Sequence, residues 1–239
     1  MDSTTLLHYM LAGAPNELDK PVYALSFNYG QRHKRELECA IKECAKLSIP
    51  HQIIDLAVLQ PLLRGSALTD QAAVPMPEGV YDGENMRKTV VPGRNTLMLS
   101  IAMAFAEGLV LSQGGAACVY YGAHSGDHHI YPDCRPEYIH AMAATFSRAT
   151  GGKVDLFVPF MYVNKTDILK QGLELGVDYS NTWTCYKGGQ EACGVCGSCD
   201  ERLESFHLNG VEDPVPYSSK GRWAADPQLP CDELVDPPA

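Results

Sequence analysis

Apolar positions along the chain alternate between two periods, and the switches between them mark the elements. Leu6, Leu7, Met10 and Leu11 fall on one face of a helix predicted over residues 3–13, with Asp2 or Ser3 as its cap. The short apolar run from Val22 to Phe27 ends at Asn28-Tyr29-Gly30 and reads as a strand entering a turn. A helical stripe of Leu37, Ile41, Cys44, Ala45 and Ser48 follows over 32–48, and His51 to Leu56 makes the next strand. Strand, helix and strand in that order imply a parallel pair joined by a crossover helix. Residues 64–90, with Pro75, Pro77, Gly79 and Gly83, predict a long surface loop. Residues 95–111 are apolar almost all round, the pattern of a buried helix. Strands at Ala117 to Gly122 and Val154 to Val158 alternate with helices over 135–149 and 165–175. The fold class is therefore α/β, an open parallel sheet with helices on both faces, and ligands are expected at the carboxyl ends of its strands. The first helix has no strand ahead of it, whereas a doubly wound domain opens with a strand feeding a glycine-rich turn.

With 45% hydrophobic and 20% charged residues, the composition is ordinary for a globular chain. A net charge of -10 weighs against broad electrostatic capture of nucleic acid or anionic lipid. Met1-Asp2-Ser3 lacks the positive start of a signal peptide, and no run of about eighteen apolar residues suggests a membrane span. The spacing of Cys39, Cys44, Cys118, Cys134 and Cys231 fits a reducing, cytoplasmic compartment better than a disulfide framework. Beyond residue 209, repeated prolines and an acidic excess predict a poorly ordered tail, tied down near Tyr217 or Trp223.

Chemistry concentrates in five places. Cys185, Cys193, Cys196 and Cys199 put four thiols in one short stretch. Two Cys-x-x-Cys steps sharing Cys196 offer three tetrahedral zinc ligands from one turn, and Cys185 closes the fourth corner. Gly194 and Gly197 let that turn take positive φ. Such a site has no open position and braces a fold; a disulfide pair or redox dithiol is the competing reading. Met1 to Thr5 opens a helix and on its own reads as an ordinary N-cap. Val91-Pro92-Gly93-Arg94-Asn95 delivers Arg94 to a helix start, where it suits a phosphate or carboxylate, or else a rim salt bridge. Between a strand and a helix, Tyr121 to Pro136 holds His124, Asp127, His128, His129, Tyr131, Asp133 and Arg135. These histidines lack the helical spacing of a second metal site. A carboxylate facing a guanine-like edge fits better, with Arg135 suited to a substrate carboxylate. Asn164-Lys165-Thr166-Asp167 sets a cation at the positive end of a helix dipole, which suggests an anion nearby rather than a solvated lysine.

Taken together, Asp2-Ser3-Thr4, Phe27 to His33, Val91 to Asn95, Tyr131 to Arg135, Thr184-Cys185-Tyr186 and the cysteine cluster resemble the 7-cyano-7-deazaguanine synthases. These are the queuosine-pathway family of the pyrophosphate-loop ATP-dependent ligases, and the likeness runs in order from residue 2 to about 217. The resemblance implies an adenine-nucleotide alpha-hydrolase-like fold with its first strand missing. It implies an ATP-binding domain over 1–180, a four-cysteine zinc-binding segment and helix over 181–209, and a tail over 210–239. It also implies adenylation of 7-carboxy-7-deazaguanine by ATP with Mg2+, amide formation with ammonia, then a second adenylation and dehydration to the nitrile. Asp2, Ser3 and Thr4 would fall in the nucleotide loop, with Arg94 and Lys165 as catalytic groups at the phosphates. Asp127, Tyr131, Asp133 and Arg135 would line the deazapurine pocket. Cys185, Cys193, Cys196 and Cys199 would hold one structural Zn2+, and the family forms homodimers. Its loop reads Ser-Gly-Gly-x-Asp-Ser, and this sequence begins at the x. The expectation is a start upstream of Met1, set against a short form without catalysis or a loop supplied by a partner. Three other readings stand beside this one. They are a zinc-braced nucleotide- or deazapurine-binding homologue, a tRNA-thiolating relative, and a relative acting on another acceptor such as DNA.

Overall fold

The computed structural model describes residues 1–13, 21–70, 72–79 and 83–224. Helix α1 (Asp2–Gly13) is followed by β1 (Ala24–Asn28), α2 (Arg35–Lys46) and β2 (His51–Asp55). Glu36 and Glu38 in the first turn of α2 and Lys46 in its last complement the helix dipole, while Leu37 and Cys44 turn inward. β1 and β2 run parallel, with Ala24 opposite His51 and Asn28 opposite Asp55. After the short α3 (Gly83–Met86) come α4 (Arg94–Gln113), β3 (Ala117–Tyr120), α5 (Pro136–Ala149) and β4 (Val154–Phe157). β3 and β4 are also parallel, and Leu99, Ala106, Phe146 and Val154 form the core between them and α4 and α5. α6 (Lys165–Glu174) begins where the Asn164 side chain accepts from the Asp167 amide at 2.8 Å, and it packs on α1 and on α7 (Gly197–Leu208).

Among the described residues the strands form two separate two-stranded parallel pairs, not one sheet. β1 and β3 each turn an edge toward a cleft of about 1180 Å³, walled further by α1, α2 and α4. The carboxyl ends of both strands open into this cleft, so the topology rule places ligands there.

Two expectations need correction. The 64–90 stretch is not all surface, because Ala67, Leu68, Met86 and Thr89 are buried. Leu68 packs with Tyr29, Leu63 and Val91, and Thr89 shares a 2.6 Å hydrogen bond with Tyr131, so apolar anchors pull the loop onto the strand ends. Nor is α4 buried all round. Leu97, Ser100, Ala104, Gly108 and Leu111 are exposed, because its packed faces are those turned to β3, β4, α5 and the cleft. By length and composition α4 also passes the test for a membrane span, as core helices of soluble proteins do. The tail is held as far as residue 223, at the Tyr217 and Trp223 anchors expected from the sequence. Asp213 takes two hydrogen bonds from the fully buried Arg202 and one from Tyr217, and Arg222 and Trp223 both donate to Asp200. A buried guanidinium demands such a partner. The remaining tail, 225–239, lies outside the described residues.

Candidate active site

Asp2, Ser3, Thr4, Arg94, Asp127, Tyr131 and Lys165, which lie far apart in sequence, line the same cleft. α1 brings Asp2 to Thr4 to the end of β3, where Gly122 lies so near Ser3 that a Cβ would stand 3.8 Å from the Ser3 nitrogen. Ser3 is exposed to the opening and Thr4 is half-buried. Lys165, at the first position of α6, is buried, with its Nζ 3.4 Å from Asp2 Oδ2 and 2.5 Å from Glu201 Oε2. Burial works against the ammonium, but Asp2 and Glu201 outweigh it and raise its pKa. For Asp2, burial pushes upward, yet Lys165 and His124 hold the carboxyl well below the ordinary carboxylate range. Glu201 is pushed up by burial, only partly countered by Lys165. His124 is buried, with Nε2 3.5 Å from Asp127 Oδ2 and Nδ1 without a partner.

Arg94 enters from the start of α4, after Gly93 at φ 62°. Its Nε donates to Asn95 Oδ1 at 3.1 Å, and its guanidinium stands 5.7 Å from the centre of the Tyr29 ring. Tyr29, Tyr121 and Tyr131 surround it, and no carboxylate pairs with it among the described residues. An enclosed guanidinium among phenols has the chemistry to receive an anion. Burial in turn raises the phenols of Tyr29, Tyr121, Tyr131 and Tyr186, so they stay neutral hydrogen-bonding groups. The buried Cys134 thiol is pushed up to about 12, chiefly by burial, so it is no nucleophile.

The structure does not bring Asp133 and Arg135 to the cleft wall. Arg135 is exposed and spends its Nε on the His128 carbonyl at 2.7 Å. Conversely, sequence reasoning missed Tyr29, Tyr121, Tyr186 and Glu201. The tyrosines sat in quoted motifs but carry no spacing that marks a site. Glu201 meets Lys165 across 36 positions, with no local signal.

The four cysteines converge beside this cleft, with all four ligand atoms within 4.8 Å of one another. Zinc–sulfur bonds of about 2.3 Å at tetrahedral angles set sulfurs roughly 3.8 Å apart, and Cys193 and Cys199 stand 3.9 Å apart. The Cys193 amide donates to Cys185 Sγ at 3.3 Å, the contact expected around a thiolate ligand. The donor set fits a closed structural zinc. Arg35 ties the intervening loop down by donating to the Gly189 carbonyl at 3.1 Å and stacking over Trp183 at 4.0 Å. Gly188 must be glycine: its φ is +67°, and a Cβ would fall 2.2 Å from that of His33.

Cations gathered at the carboxyl ends of parallel strands place the protein among the α/β proteins that handle anionic, nucleotide-like ligands. Similarity to known proteins is more particular. A family model described as queuosine biosynthesis protein QueC matches residues 1–210. The 7-cyano-7-deazaguanine synthase 1 of Colwellia psychrerythraea is 50% identical over 217 residues, 91% of this chain and 94% of the relative. The 7-cyano-7-deazaguanine synthase of Hahella chejuensis is 50% identical over 219 residues, 92% and 90% of the two chains. That of Marinomonas sp. is 49% identical over 219 residues, 92% and 94%. The chain belongs to the QueC family.

Proposed function

We propose that this chain is an ATP-dependent 7-cyano-7-deazaguanine synthase, which makes the nitrile from 7-carboxy-7-deazaguanine and ammonia. The observation that carries the reading is the pairing, in one cleft, of Arg94, with no carboxylate partner among the described residues, and Lys165 beside the Asp2-Ser3-Thr4 turn. A carboxylate is a poor electrophile. Its attack on the α-phosphate of ATP, carried with Mg2+, expels pyrophosphate and leaves a mixed anhydride with AMP as leaving group. Ammonia then adds to the carbonyl carbon, AMP departs and the amide forms. A second ATP adenylates the amide oxygen with release of pyrophosphate; loss of AMP and of both protons from nitrogen gives the nitrile. Lys165 and Arg94 stabilise charge that grows on phosphate oxygens. Asp127 and Tyr131 face the deazapurine, with Arg135 holding the loop that carries them through its bond to the His128 carbonyl. The cysteine cluster holds zinc as a brace.

Incubation of the chain with ATP, ammonium and 7-carboxy-7-deazaguanine is expected to yield nitrile and AMP by mass, and Arg94→Ala should lower turnover by about a hundredfold or more. Binding of the deazapurine without release of AMP would instead favour a zinc-braced binding homologue. The working assembly is a cytoplasmic homodimer joined through the exposed stripe Leu97, Ser100, Ala104, Gly108 and Leu111 of α4, whose apolar, small-residue character suits helix pairing. Light scattering should report a dimer for the parent and a monomer for Leu111→Glu. A dimer in both would move the interface elsewhere.

A further inference from the structure

Lys165 is gripped from two sides. Asp2 reaches it from α1 at 3.4 Å, whereas Glu201, on α7, is the nearer partner at 2.5 Å. Glu201 does not line the cleft, and its side chain is only 10% exposed. The loop after β3 closes over it at Gly126, where a Cβ would come within 3.3 Å of Glu201 Oε1 and 3.1 Å of the His124 ring. One residue further along α7, Arg202 is wholly buried and bonded to Asp213, Thr182 and the Tyr179 carbonyl. The backbone that carries Glu201 is therefore among the most firmly anchored in the molecule. A lysine has a flexible four-carbon stem whose ordering costs rotamer entropy. An acid on a fixed helix meets that cost before any substrate arrives.

We propose that Glu201 is a positioning residue, holding the Lys165 ammonium from α7 so that it is already aimed at the phosphate end of the cleft. The inference rests on the role of Lys165 given above. Asp2 lies in the turn that receives the nucleotide, so its contact with Lys165 is open to exchange when phosphates bind. Glu201 stands behind the lysine and keeps its grip.

The test is a double-mutant cycle on the zinc-loaded, full-length chain, reading AMP formation with saturating ammonium: parent, Lys165→Ala, Glu201→Gln and the double variant. Glu201→Gln should lower kcat by about ten- to a hundredfold, the worth of one charge-assisted hydrogen bond, while KM for ATP moves less than about threefold. Zinc content and melting temperature should stay close to those of the parent. In the Lys165→Ala background the same change should add less than about twofold, because the lysine it serves is gone. Glu201→Asp keeps the charge and should recover part of the loss; it also replaces the glutamine in the cycle if that variant does not fold. A parent-like kcat in Glu201→Gln, or losses that multiply in the double variant, would overturn the proposal. Parent turnover in Lys165→Ala, or no AMP from the parent, would instead remove the reading beneath it, and the proposal with it.

Discussion

Asp2 gives one carboxylate oxygen to Lys165 and keeps the other buried without a partner. Burial alone would push this carboxyl up, but Lys165, with His124 beside it, pulls it well below its ordinary value of 3.8. As the pH falls below about 4 the unfolded chain takes up this proton before the folded one does. The contribution of Asp2 to stability is therefore complete above the ordinary value and lost as pH drops through the depressed one. Urea unfolding at a series of pH values should show a shallower decline below about pH 4 in Asp2→Asn than in the parent. Equal declines would show that the Lys165 contact adds nothing to acid stability. Asp2 and Lys165 were legible in the sequence because each occupies a helix start, where a cap or a misplaced cation stands out. Glu201 was not, since a carboxylate two residues past Cys199 looks like helix surface until the chain folds. Arg135 erred the other way: its chemistry suits a carboxylate ligand, but the turn after Cys134 directs it outward to His128.

Helix α7 grows directly out of the cysteine turn, with Cys196 as its cap and Cys199 in its first turn. Asp200, Glu201, Arg202 and Ser205 are all buried, so the helix is held by ion pairs and hydrogen bonds as well as by Leu203 and Phe206. That is why apolar periodicity found α2 and α5 to within a few residues but said little about α7. We expect its stability to rest on a metal brace at its head. We expect one zinc per chain, and removal by a chelator under reducing conditions should lower the melting temperature by on the order of 10 °C with loss of helical circular dichroism. Metal-free, reduced protein with an unchanged melt would mean that the thiols support the turn by packing alone.

For the whole molecule, the order of strands and helices was readable because periods of 2 and 3.6 are properties of short segments. How the pairs sit was not. The separation of β1–β2 from β3–β4 and the docking of Leu68 and Met86 depend on contacts between distant segments, which leave no local period. The tail's two aromatic anchors were legible by composition, but Asp213 and Arg222, which with Tyr217 and Trp223 fasten it to α7, were not.

That fastening bears on any recombinant version trimmed to the stretch that its relatives share most plainly. The family match stops at residue 210, three positions short of the acid that neutralises Arg202. A product cut at that boundary would strand a guanidinium inside its core, at a cost of about 3–5 kcal/mol against a typical margin of roughly 5–15. It should be recovered mostly as aggregate, while one ending at residue 224 stays in the supernatant after lysis and melts as the parent does. Comparable yields from both would show that water or another side chain can stand in for Asp213.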